Sequence, residues 1–348
     1  MMKTRALVLH KAGDLRVEER EVGTIGNHQV LLHVGAGGLC GSDIHYFWHG
    51  GMGAIRLTEP MILGHEAAGT VEAVGTNVTS VKPGDRVAID PSRHCGHCRF
   101  CLEGMMNQCE NMDFHGSAMR KPHSQGLFRD HIIVEERQCL AVGTKTSMAE
   151  AACMEPLSVA LHAVNQAGSL MGRRVLVTGS GPIGALVVAA ARLAGALEIV
   201  ATDVADAPLV AASRMGATTT INSKQNPDQL NASYAAHKGW FDAAFECTGV
   251  GAVLPSIFPI LRPGGSLVQV GVMGDTAVPM NALVAKEINL RGTHRANREY
   301  ALAAALLRDE RIDVKPILTA TLPMDQAAHA FDLVRDRSTQ LKVQLSFS

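Results

Sequence analysis

Cys95, Cys98, Cys101 and Cys109 follow one another at the spacing C-x2-C-x2-C-x7-C. Thiolates bind zinc tetrahedrally, and loops this tight bring four sulfurs together without a preformed sheet or helix. Once filled, such a set is closed to substrate, so its metal is structural. A sparser set, Cys40, His65 and Glu66 with Glu155 further on, mixes thiolate, imidazole and carboxylate. Three such ligands around zinc leave a fourth position open, which is what a catalytic metal requires. Disulfides are the competing reading of the cysteines. The opening MMKTRALVLHKAGDLRVEE interrupts any secretory apolar run with charges and a glycine, so eight cysteines are expected to stay reduced in the cytoplasm. Cys139, Cys153 and Cys247 read as small buried apolar residues.

A second chemistry lies in Val175-Leu-Val-Thr-Gly179-Ser-Gly181-Pro182-Ile183-Gly184. G-x-G-x-x-G stands there directly after an apolar strand and before an Ala-rich helix, the context in which it cradles a dinucleotide. Gly179 allows the tight turn, Gly181 lets the backbone approach a pyrophosphate, and Gly184 lets helix and strand pack closely. Asp203, nineteen residues beyond Gly184, ends the next strand, EIVATD. A carboxylate there accepts hydrogen bonds from both ribose hydroxyls and repels a 2′-phosphate. No arginine stands in Val204-Ala205-Asp206-Ala207 to receive such a phosphate, so NAD is expected over NADP. Thr248 in Cys247-Thr248-Gly249, and Val270-Gly271-Val272, fall at later strand ends, where a doubly wound sheet opens its ligand crevice.

The elements that must position these residues come in two textures. The first third has short strands with glycine punctuation: RALVLH, QVLLHVGAGGLCGSD, AAGTVEAVG and DRVAID. That is a barrel-like all-β pattern. From about residue 150 strands alternate with helices, RVLVTG, a helix over 182–194, EIVATD, FDAAFECTG and SLVQVGV, the pattern of a parallel α/β sheet. The tail after 296 carries a helix, NREYALAAALLRDE, and short strands ending in KVQLSF, which are expected to rejoin the first domain. A chain of 348 residues accommodates this, with domains at 1–150 and 151–295 and a returning segment at 296–348. Lys plus Arg is 32 against 33 for Asp plus Glu, which leaves no electrostatic footprint for nucleic acid. No stretch reaches the roughly 18 apolar residues of a membrane span, so the partner is a small molecule.

Taken in order, GLCGSDIH, GHEAAG, VKPGDRV, the four-cysteine lobe, MEPLSVALHA and GSGPIG resemble the zinc-containing medium-chain dehydrogenase/reductase family over nearly the whole chain. The resemblance implies a Rossmann doubly wound domain joined to a GroES-like β-barrel catalytic domain, two zinc ions per subunit and NAD. It implies Cys40 and His65 as ligands of the catalytic zinc. The alcohol dehydrogenase branch has a cysteine where this chain has Glu155, and the carboxylate is similar to the polyol dehydrogenase branch. Glu66 and Glu155 are both candidates there, one for the metal and the other for its bound water. Ser42, two residues after Cys40, takes the alcohol proton in a relay that by resemblance His45 passes toward solvent.

Within the branch, the segment Phe114 to Phe128 resembles the L-idonate 5-dehydrogenases rather than the sorbitol dehydrogenases, which implies a sugar acid oxidised at a secondary hydroxyl. A sugar acid needs a cationic partner for its carboxylate, and His115, Arg120, His123 and Arg295 are the candidates. Arg295 and Tyr46 match an arginine and a tyrosine of the polyol branch, whereas His115 replaces an aromatic residue. Sorbitol or xylitol is the alternative substrate. A zinc-bearing binding module is disfavoured because Glu103 and Glu110 offset the basic residues of the lobe, and a zinc-free reductase would lack Cys40, His65 and the four cysteines. The polyol branch further implies a homotetramer, with an edge strand near SLVQVGV open to pairing across a two-fold axis.

Overall fold

The computed structural model describes residues 2–347. Strands Arg174–Thr178, Glu198–Asp203, Thr219–Asn222, Phe241–Glu246, Leu261–Gln269 and Asn289–Gly292 form one six-stranded sheet in which every pair is parallel. Numbered along the chain, their order across the sheet is 3-2-1-4-5-6. Val175, Leu176 and Val177 are fully buried, as an unbroken apolar run must be when helices cover both faces. The order reverses between Arg174–Thr178 and Phe241–Glu246, so a crevice opens beyond their carboxyl ends, where Gly179 and Thr248 stand.

The second large sheet has seven strands, antiparallel apart from its last pair. Gln29–Gly38 is its hub, pairing with Glu66–Val74, His131–Glu135 and Lys342–Ser346. The chain's last strand thus lies beside Gly37 and Gly38, immediately before Cys40. Leu7, Leu9, Leu32, Val34, Phe128, Phe331 and Leu345 fill the core beneath it. Between the two sheets, helices Met154–Gln166, Pro182–Leu193 and Glu299–Arg308 bury Leu157, Val187 and Leu307 in one cluster with Val175 and Phe245.

One expectation is corrected. SLVQVGV is not at an edge: Leu261–Gln269 is flanked by Phe241–Glu246 and Asn289–Gly292, and the latter is the edge strand on that side of the sheet, exposed along its whole length. Four residues of mixed polarity, NLRG, carry no alternation by which a strand is recognised, so the edge escaped notice. No helix among the described residues is long and apolar enough to cross a membrane.

Candidate active site and metal centres

The Cys40 site is assembled by one buried carboxylate. Asp43, in the first turn of helix Gly41–His49, accepts from Cys40 N at 3.0 Å and from Gly64 N at 3.2 Å. It thereby pins the start of that helix to the turn before strand Glu66–Val74, and its Oδ1 lies 3.9 Å from His65 Nδ1. Burial pushes the Asp43 carboxyl up, against the pull of His65 and the two N–H bonds. Gly64 turns with φ 92°, and a Cβ there would stand 2.2 Å from the Phe128 ring, so only glycine brings His65 to this place.

Donor atoms of Cys40, His65 and Glu66 all lie within 4.8 Å of one another, a thiolate–imidazole–carboxylate set that fits one zinc ion with a position left open. Burial alone would hold the His65 ring down, but the Cys40 sulfur and the Asp43 carboxylate outweigh it and lift the ring to about 10. The surroundings thus favour a cation at this point. Glu66 is also held from behind: Lys342 Nζ lies 2.8 Å from each of its oxygens and 3.1 Å from Leu39 O. Glu155, on helix Met154–Gln166, stands outside the three-residue cluster but close enough to feel His65, Glu66, Lys342 and Arg295. Burial, chiefly, pushes its carboxyl up to about 7. The protein is therefore able to hold a proton on Glu155 near neutrality.

Ser42 is half-buried in the first turn of the same helix as Cys40, and His45 is exposed one turn on, its ring 5.6 Å from His49. No direct hydrogen bond joins Ser42 to His45 among the described residues. Tyr46 is buried, and its hydroxyl accepts from Ala118 N at 3.1 Å. Arg295 lies over the Phe114 ring at 4.2 Å and donates to Met119 Sδ at 3.0 Å, with no ion pair among the described residues. Burial lowers its guanidinium, while Tyr300, Glu155 and Tyr46 act against that. Phe114 in turn packs against the His65 ring at 5.5 Å, which links Arg295 to the metal cluster.

The other cationic candidates lie elsewhere. His115, Arg120 and His123 line a cavity of about 370 Å³ with Arg93, Asp113 and Arg129, and none of Cys40, His65, Glu66, Tyr46 or Arg295 borders it. Burial lowers the His115 ring to about 4, with Nδ1 donating to Gln125 O at 2.8 Å. Both ring nitrogens of His123 are engaged, one by Thr58 N at 2.9 Å and the other by Arg120 O at 2.7 Å.

The dinucleotide fingerprint folds as its glycines require. Gly179 takes φ 81°, and a Cβ on Gly184 would stand 1.8 Å from Gly179 O. At Gly181, the N-cap of helix Pro182–Leu193, a Cβ would meet nothing within 4 Å. That open space beside a helix N-terminus is the cradle a pyrophosphate needs. Asp203 accepts from Ser180 N at 2.8 Å and Ala205 N at 3.1 Å, which fixes the carboxylate at its strand end. Glu246, fully buried, gathers the facing loops: its carboxylate accepts from Thr248 N, Gly249 N and Gln269 Nε2, and its backbone O from Val270 N and Gly271 N. Gly271 must be glycine because a Cβ would lie 2.2 Å from Gly249 N, while Val272 is exposed.

In the lobe, the sulfurs of Cys95, Cys98, Cys101 and Cys109 also lie within 4.8 Å of one another. Cys98 and Cys109 are 4.0 Å apart, close to the roughly 3.8 Å edge of a tetrahedron with Zn–S bonds of about 2.3 Å. Backbone N–H groups of Cys95 and Asn111 point at Cys109 Sγ, both at 3.3 Å, which suits a thiolate. All eight cysteines are free thiols.

Residues 26–144 match the alcohol dehydrogenase GroES-like domain, and residues 182–309 match the zinc-binding dehydrogenase family. The chain is 39% identical over 347 residues to L-idonate 5-dehydrogenase (NAD(P)(+)) of Escherichia coli strain K12, covering 99% of each chain. The chain belongs to the zinc-containing medium-chain dehydrogenase/reductase family. Its polyol dehydrogenase branch is the one represented, because sorbitol dehydrogenase of Gallus gallus is 37% identical over 98% of this chain and 95% of its own. The crystal structure of the Escherichia coli L-idonate 5-dehydrogenase superposes with a TM-score of 0.94 at 38% identity, covering 99% of both chains. The dehydrogenase accordingly combines a GroES-like domain with a Rossmann domain, and zinc and a nicotinamide dinucleotide are its cofactors.

Four residues at this dehydrogenase's sites escaped the sequence reading. Asp43 and Glu246 were single acids inside motifs chosen for other residues. Lys342 reaches Glu66 across 276 positions of chain, which no local pattern can announce. Tyr300 is buried near Arg295, Glu155 and Ser92, its hydroxyl without a hydrogen-bond partner of good geometry among the described residues, and in sequence it is one more apolar-face residue of a helix.

Proposed function

We propose that the dehydrogenase oxidises the C5 hydroxyl of L-idonate to 5-dehydro-D-gluconate with NAD, as a homotetramer in the cytoplasm, where its eight thiols stay reduced. The observation that carries the sugar-acid reading is Arg295, a half-buried guanidinium with no ion pair among the described residues, beside the metal cluster. A substrate carboxylate supplies the missing partner. The likeness to L-idonate 5-dehydrogenase along the whole chain supports the same choice.

Cys40, His65 and Glu66 hold the catalytic zinc, and Cys95, Cys98, Cys101 and Cys109 the structural one. When bound, the catalytic zinc acts as a Lewis acid that lowers the pKa of a substrate hydroxyl. Lys342 pairs with both Glu66 oxygens and fixes the orientation of that carboxylate. Glu155 holds or releases a proton at the edge of this cluster. Ser42 receives the alcohol proton, and His45, exposed one turn away, hands it to solvent. Arg295 and Tyr46 hold the polar end of the substrate, and His115, bonded through Nδ1 to Gln125 O and through its backbone N to Pro91 O, fixes the position of the neighbouring Phe114. Gly179, Gly181, Pro182, Ile183 and Gly184 bind the pyrophosphate, Asp203 selects NAD by its ribose, and Thr248, Val270, Gly271 and Val272 border the nicotinamide.

Initial rates with L-idonate, sorbitol and xylitol, each with NAD and with NADP, test this. L-Idonate with NAD is expected to give the highest kcat/KM; sorbitol or xylitol outrunning it by a wide margin would transfer the enzyme to the polyol substrates.

A further inference from the structure

The four-cysteine lobe and the substrate-side arginine are tied together. Asn297 Nδ2 donates to Gly104 O at 2.7 Å, Met106 N donates to Asn297 Oδ1 at 3.0 Å, and Asn107 Nδ2 donates to His294 O at 3.0 Å. Gly104, Met106 and Asn107 all lie between Cys101 and Cys109, inside the loop the metal would close. Their partners, His294 and Asn297, bracket Arg295.

Arg295 itself has φ 55°, the left-handed region that non-glycine residues seldom enter. Such a conformation persists only when its surroundings over-determine it. Here they do so from two sides. The lobe grips the residues on either side of Arg295. Asn297 N and Arg298 N also donate to Glu299 Oε2 at 2.9 and 3.0 Å, and the other Glu299 oxygen is held by Asn165 Nδ2 and His162 on the helix that carries Glu155. Released from these bonds, the backbone at 295 would relax to a common region and swing the side chain away from Phe114 and Met119.

We propose that Asn297 and Asn107 are positioning residues through which the four-cysteine lobe holds Arg295 in its left-handed conformation, so that the lobe sets substrate affinity as well as stabilising the subunit. This rests on the reading that Arg295 contacts the substrate. A lobe that served stability alone would lower the melting temperature and leave KM where it was.

The test is a double-mutant cycle on the zinc-loaded enzyme: Asn107→Ala, Asn297→Ala, Arg295→Ala and the two asparagine–arginine double variants. It is assayed with L-idonate, or with the fastest substrate of the panel above, alongside zinc content and thermal melting. Each asparagine variant is expected to raise KM about three- to tenfold with kcat within about twofold, and to add nothing in the Arg295→Ala background. An equal rise in both backgrounds, or an unchanged KM in a variant with wild-type zinc and melting, overturns the positioning role while leaving Arg295 in place. An Arg295→Ala enzyme with unchanged KM overturns the reading of Arg295 and this inference with it. Should Asn297→Ala not fold, Asn107→Ala decides, since it removes a single bond on an exposed part of the lobe.

Discussion

Lys342 and Glu66 form a buried ion pair, with Nζ 2.8 Å from both carboxylate oxygens and the two side chains 4% and 2% exposed. Removing one partner of such a pair strands the other charge, at a cost of roughly 3–5 kcal/mol. Lys342→Met is therefore expected to lose stability of that order in chelator-treated protein. The loss should shrink in zinc-loaded protein, where the cation at Cys40, His65 and Glu66 neutralises the stranded carboxylate. Urea denaturation of both forms measures the difference, and an equal loss in each would separate Glu66 from the metal.

The two glycines that flank the start of helix Pro182–Leu193 are expected to respond oppositely to a methyl group. Gly184→Ala drives a Cβ into Gly179 O and should impair folding, whereas Gly181→Ala fills only open space in the unliganded chain. Gly181→Ala should keep the wild-type melting temperature and lose NAD affinity by about tenfold or more, because its methyl occupies the pyrophosphate's approach. Calorimetric titration with NAD beside a melting curve separates the two effects.

Asp203 accepts from Ser180 N and Ala205 N, so its carboxylate is in place before any cofactor arrives. Asp203→Ser removes the charge that opposes a 2′-phosphate. The ratio of kcat/KM for NAD over NADP is expected to fall by about tenfold or more, since juxtaposed like charges cost several kcal/mol. A ratio that does not move would assign the preference to another residue.

Burial would push the Glu299 carboxyl up, but hydrogen bonds from His162, Asn297 N and Asn165 outweigh it and hold it down to about 2. A carboxylate whose folded pKa is depressed stabilises the protein above its unfolded value, here 4.5, and that stability is lost as pH falls from there toward 2. Glu299→Gln is expected to be less stable than wild type at pH 7 and to show a flatter loss between about pH 4.5 and 2. Chemical denaturation across that window gives the slope directly.

The cysteine lobe and the glycine fingerprint were legible because their chemistry is written in local spacing. Four thiols separated by two, two and seven residues have few ways to miss one another, and a glycine turn between an apolar strand and a helix is a backbone rule. The strands around these motifs were legible for a similar reason. Helix Pro182–Leu193 and strand Glu198–Asp203 fall where the periodicity puts them, whereas the short edge Asn289–Gly292 offered no period to read.

What the amino-acid order determined by itself was the kind of chemistry: one closed sulfur site, one open mixed site and a dinucleotide cradle. Three matters waited for the tertiary structure. Glu66 rather than Glu155 clusters with Cys40 and His65, Arg295 rather than Arg120 or His123 approaches that cluster, and Lys342 arrives from the last strand to hold Glu66. Each depends on which side of a buried element faces another element, and for Arg295 and Lys342 that element lies more than two hundred positions away along the chain. That is set by the packing of sheet against helix, and no spacing along the chain encodes it.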